Sequence, residues 1–169
     1  LDVGRLEQAV NILIRRHDML RMVVDEDGMQ RILPSVPAFV LREEDLRPLS
    51  TDARQERLAV VRAAMSSGAL DAENGPLYEL RAARLDSGVS RLFLRIDMLA
   101  VDGRSMMILA EELIAFYLHP EQTPPHLAAT FRDYVIFRAD GNETATHAQA
   151  RRYWRERLES LPAGPMLPT

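Results

Sequence analysis

Arg91-Leu92-Phe93-Leu94-Arg95-Ile96-Asp97-Met98-Leu99-Ala100-Val101-Asp102-Gly103-Arg104-Ser105 is the stretch from which the rest of the chain can be placed. It opens in alternation, with Leu92, Leu94, Ile96 and Met98 on one side and Arg91, Phe93, Arg95 and Asp97 on the other. A period of two is that of a half-buried strand. From Met106 to Leu118 the period becomes helical, with Leu109, Leu113, Ile114 and Tyr117 on one stripe and Ser105 placed as N-cap. Asp97 and Asp102 therefore bracket an apolar bend between a strand and a helix. Loops held between rigid elements commonly carry binding and catalysis. The same residues also read as ordinary structure: Asp97 balancing Arg91 and Arg95, Asp102-Gly103 as a turn, Ser105 as a cap.

Upstream, Pro76 to Leu85 pairs with Val89 to Met98 as a hairpin. Setting Leu85 opposite Val89 leaves Asp86-Ser87-Gly88 as the loop, with glycine where a positive φ is needed. The register then puts Tyr78 opposite Ile96, Leu80 opposite Leu94 and Ala82 opposite Leu92, a continuous apolar face. On the other face Glu79 meets Arg95, an opposite-charge cross-strand pair. A slip of one residue would oppose apolar to polar side chains throughout.

At the start of the chain Asp2 caps a helix running to about His17. Val3, Leu6, Val10, Leu13 and Ile14 form its stripe, and Arg5, Glu7, Arg15 and Arg16 face water. His17 reads as a C-terminal residue interacting with the helix dipole. Leu20 to Val24 and Met29 to Leu33 are short strands joined by the turn Asp25-Glu26-Asp27-Gly28. Phe39 to Leu46 is another strand. Thr51 or Asp52 then caps a helix to about Ser66 that buries Leu58, Val61 and Met65. Past a proline-rich loop, Thr130 starts a helix through Phe131, Tyr134, Val135 and Phe137. Gly141-Asn142 interrupts, and Thr144 opens a last helix, His147 to Leu161. The aromatic stripe Tyr134, Phe137, Tyr153 and Trp154 is expected in a core.

With 169 residues, 47% apolar and 27% charged, the chain can bury one real core. A net charge of −4 without a basic stripe argues against nucleic acid as partner. The absence of cysteine excludes disulfides, thiolate metal sites and a cysteine nucleophile, and fits a cytoplasmic location. No apolar run approaches a membrane span. No metal site, glycine-rich phosphate loop or internal repeat is found. The first residue, Leu1, lies within a helical pattern, and Leu161 to Thr169 reads as a linker, so the chain is expected to be a piece of a larger protein.

Asp97-x-x-x-x-Asp102-x-x-Ser105 resembles the signature of heterocyclization domains of nonribosomal peptide synthetases, relatives of the condensation domains. Where a condensation domain carries two histidines, this chain has Asp97 and Met98. Gly103 is what a condensation domain would carry, where cyclization domains more often have alanine. The resemblance extends along the chain. It includes Arg16-His17-x-x-Leu20-Arg21, then Gln30 to Leu33 with Asp45-Leu46-Arg47, then Phe131-x-Asp133-Tyr134. Tyr153-Trp154 and the Leu161-Pro162 and Leu167-Pro168 pairs complete it.

This likeness implies an α/β (α+β) fold, a lobe like chloramphenicol acetyltransferase with a mixed or antiparallel sheet and packed helices. Residues 1–161 would be the N-terminal lobe, incomplete at its start, and 162–169 the start of a linker to a second lobe. The implied activity, for a full-length enzyme, joins a carrier-bound acyl thioester to Cys, Ser or Thr and cyclodehydrates the product to a thiazoline or oxazoline. That places the chain in peptide or siderophore biosynthesis. Asp97, Asp102 and Ser105 are the implied site residues, with Asp102 held by an arginine and Ser105 capping the helix. No cofactor of its own is implied; substrates ride on the 4'-phosphopantetheine of donor and acceptor carrier proteins, beside an adenylation domain. A degenerate, non-catalytic condensation-type docking or scaffold domain is the alternative.

Overall fold

The computed structural model describes residues 1–86, 88–122, 124–139, 144–162 and 164. The expected break at Gly141-Asn142 and the Leu167-Pro168 pair lie outside them. Residues 1–128 and 129–169 form two compact units.

The first unit is a helix–sheet–helix sandwich. Helix α1 (Val3–Arg16) is capped by Asp2, whose carboxylate accepts the Arg5 amide. The turn of 3-10 helix Asp18–Arg21 leads into strand β1 (Met22–Val24), which pairs antiparallel with β2 (Gln30–Ile32). β1 is shorter than expected because Leu20 and Arg21 are taken up by that turn, and β2 is shorter by one residue at each end. Strand β3 (Arg42–Asp45) follows, then α2 (Thr51–Ser66), capped by Ser50 rather than Thr51 or Asp52. Strands β4 (Tyr78–Asp86) and β5 (Val89–Ile96) form the hairpin, and α3 (Gly103–Leu118) completes the unit.

The main sheet has the order β3-β4-β5, with β3 parallel and β5 antiparallel to β4. It is mixed because β3 reaches β4 through the helical crossover α2, the connection a parallel pair requires. Four charged residues make β3 an unpromising strand by hydrophobic pattern. It is held by its ladder to Arg81–Arg84 and by Arg84, which donates to both oxygens of Glu43.

The hairpin register agrees with expectation from Tyr78↔Ile96 to Ala82↔Leu92, and Arg95 meets Glu79 at 3.1 Å. Its end differs. Asp86, not Leu85, pairs with Val89, and a bulge lies between Arg84 and Asp86. The extra residue shortens the loop and turns Leu85 onto the α2 side, where it packs with Leu46, Leu58 and Ala83. Gly88 has φ +91°, the left-handed geometry that glycine adopts without strain.

Ala82 and Ala83 point to opposite faces and divide the core. On the Ala82 side lie Leu6, Val10, Leu13 and Ile14 of α1 with Leu80 and Phe116. On the Ala83 side lie Leu46 and Leu58. Leu92 and Leu94, expected to continue the buried face, are 44% and 56% exposed. They lie on the outer strand of the sheet, beyond the helix layer that covers Leu80 and Ala82. Ile114 is exposed as well, and Phe116 supplies the buried aromatic of α3 instead.

The second unit contains α4 (Phe131–Ala139), α5 (Ala145–Arg157) and a 3-10 turn, Leu158–Ser160. Thr130 and Asp133 cap α4 reciprocally: the Asp133 amide donates to Thr130 Oγ1 at 3.2 Å, and the Thr130 amide to Asp133 Oδ2 at 2.8 Å. Thr144 caps α5 as expected. Tyr134, Phe137, Tyr153 and Trp154 are all exposed, contrary to the expectation of a core. Neither helix contains a buried residue, so periodicity alone overstated their packing.

Candidate functional site

The bend between β5 and α3 is built by three devices. The first follows the last residue of β5: the Asp97 amide donates to the Leu77 carbonyl at 2.8 Å, extending the hairpin by one bond. The Ala100 amide returns to the Asp97 carbonyl at 3.0 Å, and Asp97 Oδ1 accepts the Leu99 amide at 2.9 Å. An aspartate that accepts a backbone amide two residues on is an Asx turn. Asp97 Oδ2 accepts no hydrogen bond from the described residues.

The second device is apolar. Ala100 and Val101 are buried against Met22 of β1 and Leu77, with Met19, Ile96, Met106 and Leu109 packed around them. Two small side chains thus plug the bend into the core, while Met98 and Leu99 stay exposed. Burying them fixes which way the flanking residues can turn, and Asp97 is left half-buried and Asp102 exposed.

The third device is the cap of α3. Asp102 has extended backbone geometry and is the N-cap, a role the sequence pattern assigned to Ser105. Ser105 is the third residue of the helix, and both its amide and its hydroxyl donate to Asp102 Oδ1, each at 2.7 Å. Asp and Ser are equally good caps, so pattern did not separate them. The Ser105 hydroxyl is the largest cause, and the Ser105 amide the next, of an Asp102 pKa below the ordinary 3.8. A carboxylate at a helix N-terminus is further favoured by the helix dipole.

The arginine expected to hold Asp102 is absent among the described residues; Ser105 takes that place. Asp102 and Ser105 are therefore in direct contact, while Asp97 is joined to them only through the turn. A Cβ built on Gly103 meets nothing within 4 Å, so glycine there answers no steric need and alanine would fit equally.

Chemically, the bend offers two carboxylates of different kinds. Asp102 is ionised at neutral pH and already accepts two hydrogen bonds, so it is a weak proton acceptor and a good anchor. Asp97 keeps one oxygen uncommitted. Among the described residues no group of three or more His, Asp or Glu could hold a metal ion, and no helix is long and apolar enough to cross a membrane. A cleft of about 550 Å³ opens between β1, residues 33–42 and the start of β4, but neither aspartate nor Ser105 lines it.

A feature missed by the sequence pattern lies farther along α3. Glu112 accepts from Arg16 Nε at 3.0 Å and contacts His17 Nε2 at 2.6 Å. Arg16, expected to face water, is turned inward with its side chain 13% exposed. Glu7 likewise faces inward and accepts the Leu41 amide at 2.8 Å. His17 does cap α1, its amide donating to the Leu13 carbonyl at 2.8 Å, but its ring serves α3. Arg16 and Glu112 share one sequence signal, a charged residue beside an apolar stripe, which surface residues show as often.

A model of the condensation-domain family matches residues 1–169. Phenyloxazoline synthase MbtB of Mycolicibacterium paratuberculosis is 38% identical over 172 residues, covering 99% of this chain and 14% of that protein. Pyochelin synthetase PchE of Pseudomonas aeruginosa is 37% identical over 168 residues, 99% of this chain and 12% of that protein. Among solved structures, the cyclization-docking bidomain of the nonribosomal peptide synthetase EpoB from Sorangium cellulosum superposes with a TM-score of 0.88. It is 40% identical, and the match covers 99% of this chain and 34% of that one. The chain thus spans a small part of its curated relatives and about a third of the solved one.

Proposed function

Because the chain belongs to the condensation-domain family, with the α/β, chloramphenicol-acetyltransferase-like architecture of its structural neighbours, we propose that it is part of a heterocyclization domain. In this proposal the complete domain, within a nonribosomal peptide synthetase, joins an acyl thioester to a cysteinyl, seryl or threonyl thioester. The substrate amine forms the C–N bond, and the C–S bond of the acyl thioester breaks to release the carrier thiol. The side-chain sulfur or oxygen then closes on the new amide carbon, and water leaves to give a thiazoline or oxazoline. The observation that carries the reading is the Asp97–Ser105 bend, in which aspartates stand without a histidine and Met98 fills the neighbouring position.

A thioether neither takes nor delivers a proton near neutral pH, so Met98 offers no acid–base route. Asp102 shapes the bend by capping α3. Asp97, with Oδ2 open, is assigned to face the substrates and orient the attacking group, since positioning supplies much of the acceleration available to a two-substrate reaction. Residues 1–161 would supply one of two lobes around a tunnel, and the carrier proteins would bring both substrates on their own phosphopantetheine arms.

The test is a full-length synthetase assay that resolves open amide from heterocycle. Asp97→Asn should lower heterocycle formation while the fold is kept, and Met98→His should leave amide formation unchanged or impaired. A gain in amide from Met98→His, together with an indifferent Asp97→Asn, would overturn the proposal and favour a degenerate condensation-type domain.

A further inference from the structure

The mid-helix cluster on α3 ties the C-terminal end of α1 to α3 through one carboxylate. Arg16 Nε donates to both oxygens of Glu112, at 3.0 and 3.2 Å, and His17 Nε2 lies 2.6 Å from Oε2. A carboxylate at that distance requires the hydrogen on Nε2. Arg16 Nη1 also donates to the Pro125 carbonyl. The three side chains are only 13%, 20% and 23% exposed, so their polar ends are largely withdrawn from water.

Such a group adds little net stability compared with an apolar filling of the same volume, because desolvation offsets much of the attraction. What it adds is direction. Leu109, Leu113 and Tyr117 of α3 pack on the α1 core by apolar contact, which is non-directional and tolerates sliding. A carboxylate held from two adjacent residues of another helix tolerates almost none. A helix transmits axial displacement along its length, and Glu112 stands about 15 Å from the Asp102 cap at 1.5 Å per residue.

We infer that Glu112, with Arg16 and His17, is a positioning residue that sets the axial place of α3 and thereby the geometry of the Asp97–Ser105 bend. Its effect on turnover rests on the proposed role of that bend. Its effect on geometry does not.

Full-length enzyme carrying Glu112→Gln or Glu112→Asp tests this, with Val61→Ala as the control for general destabilisation, since Val61 is buried on α2 rather than α3. Hydrogen exchange of the peptide containing Ala100, whose amide bonds the Asp97 carbonyl in the seated bend, is followed by mass spectrometry alongside kcat and KM. Both Glu112 variants should expose the Ala100 amide to faster exchange and lower kcat by roughly 10- to 100-fold, the cost of misplacement by about an ångström, with KM little changed. Val61→Ala should move neither at a temperature where it remains folded. Unchanged exchange at Ala100 in both Glu112 variants would overturn the inference. Faster exchange with normal heterocycle output would uphold the positioning and instead remove the bend from the chemistry.

Discussion

Asp102 and Ser105 close the first turn of α3 on themselves, one carboxylate oxygen receiving both the amide and the hydroxyl of the same serine at 2.7 Å. The aspartate is thereby a structural cap and a fixed negative charge at once. Substitution can separate the two roles.

Asn is as good an N-cap as Asp, and Ala is a poor one. Asp102→Asn should therefore keep the melting temperature close to that of the parent protein, while Asp102→Ala lowers it. Ser105→Ala retains the amide bond and loses the hydroxyl bond, so its melting temperature should fall between the two. Calorimetry on the three variants checks the order. An Asp102→Asn protein that melts with Asp102→Ala would show that charge, not capping, stabilises the turn.

Leu77 lies beneath the bend, 2% exposed, and its carbonyl receives the Asp97 amide. Leu77→Ala should cost about 2–5 kcal/mol in denaturant unfolding, the range for removing a buried leucine side chain. It should also disturb the bend itself, because Ala100 and Val101 lose a wall of their pocket. A loss below about 1 kcal/mol would mean that the site collapses to refill the space.

Four aspartates make the folded state acid-sensitive. The Arg47 side chain holds the Asp45 carboxyl down to about 2, from an ordinary 3.8. Asn74 lowers Asp71, Ser105 lowers Asp102, and the Thr130 amide lowers Asp133. A carboxyl whose pKa is lower in the folded state takes its proton first in the unfolded chain. Its contribution is thus present above the ordinary carboxylate pKa and is lost as pH falls through the folded one. Melting temperature should decline from about pH 5 towards pH 2, and Asp45→Asn should make the lowest part of that decline shallower.

Gly88 holds φ +91° at the tip of the hairpin, with open space where a Cβ would go. Gly88→Ala meets no clash there and should still cost about 1–2 kcal/mol, the penalty of left-handed geometry for an L-residue. Denaturant unfolding reads it directly. A neutral result would mean that the turn had changed type.

Where a residue's partner is near in sequence, the pattern placed it well. Asp2, Thr130 and Thr144 cap their helices as expected, and the Glu79–Arg95 pair sits in its expected register. Errors came where competing local signals were of equal strength or where the partner was distant. Asp102 and Ser105 are both good caps, and only the fold decides which one carries extended backbone. The bulge at Leu85 depends on the core under α2, which the hairpin sequence does not contain. Arg16 finds Glu112 across 96 positions, and no local period marks such a meeting. Leu92 and Leu94 have a buried-strand pattern, yet exposure depends on where the helices above the sheet end.

The seat of the bend has a consequence for the order in which the chain becomes organised. Met22 and Val101 share one buried cluster although most of the first unit lies between them in sequence. The α3 cap is local and can form within one turn, whereas this seat needs the closure of a long loop, whose entropic cost must be met before the contact rewards it. As the chain leaves the ribosome, the pocket around Met22 and Leu77 stays incomplete until Val101 arrives. Pulse-labelled hydrogen exchange should therefore protect amides within α3 before the Leu99 and Ala100 amides of the bend. The segment assigned to the chemistry is then among the last parts of the unit to take shape, and its native geometry reports that the surrounding layers have already assembled.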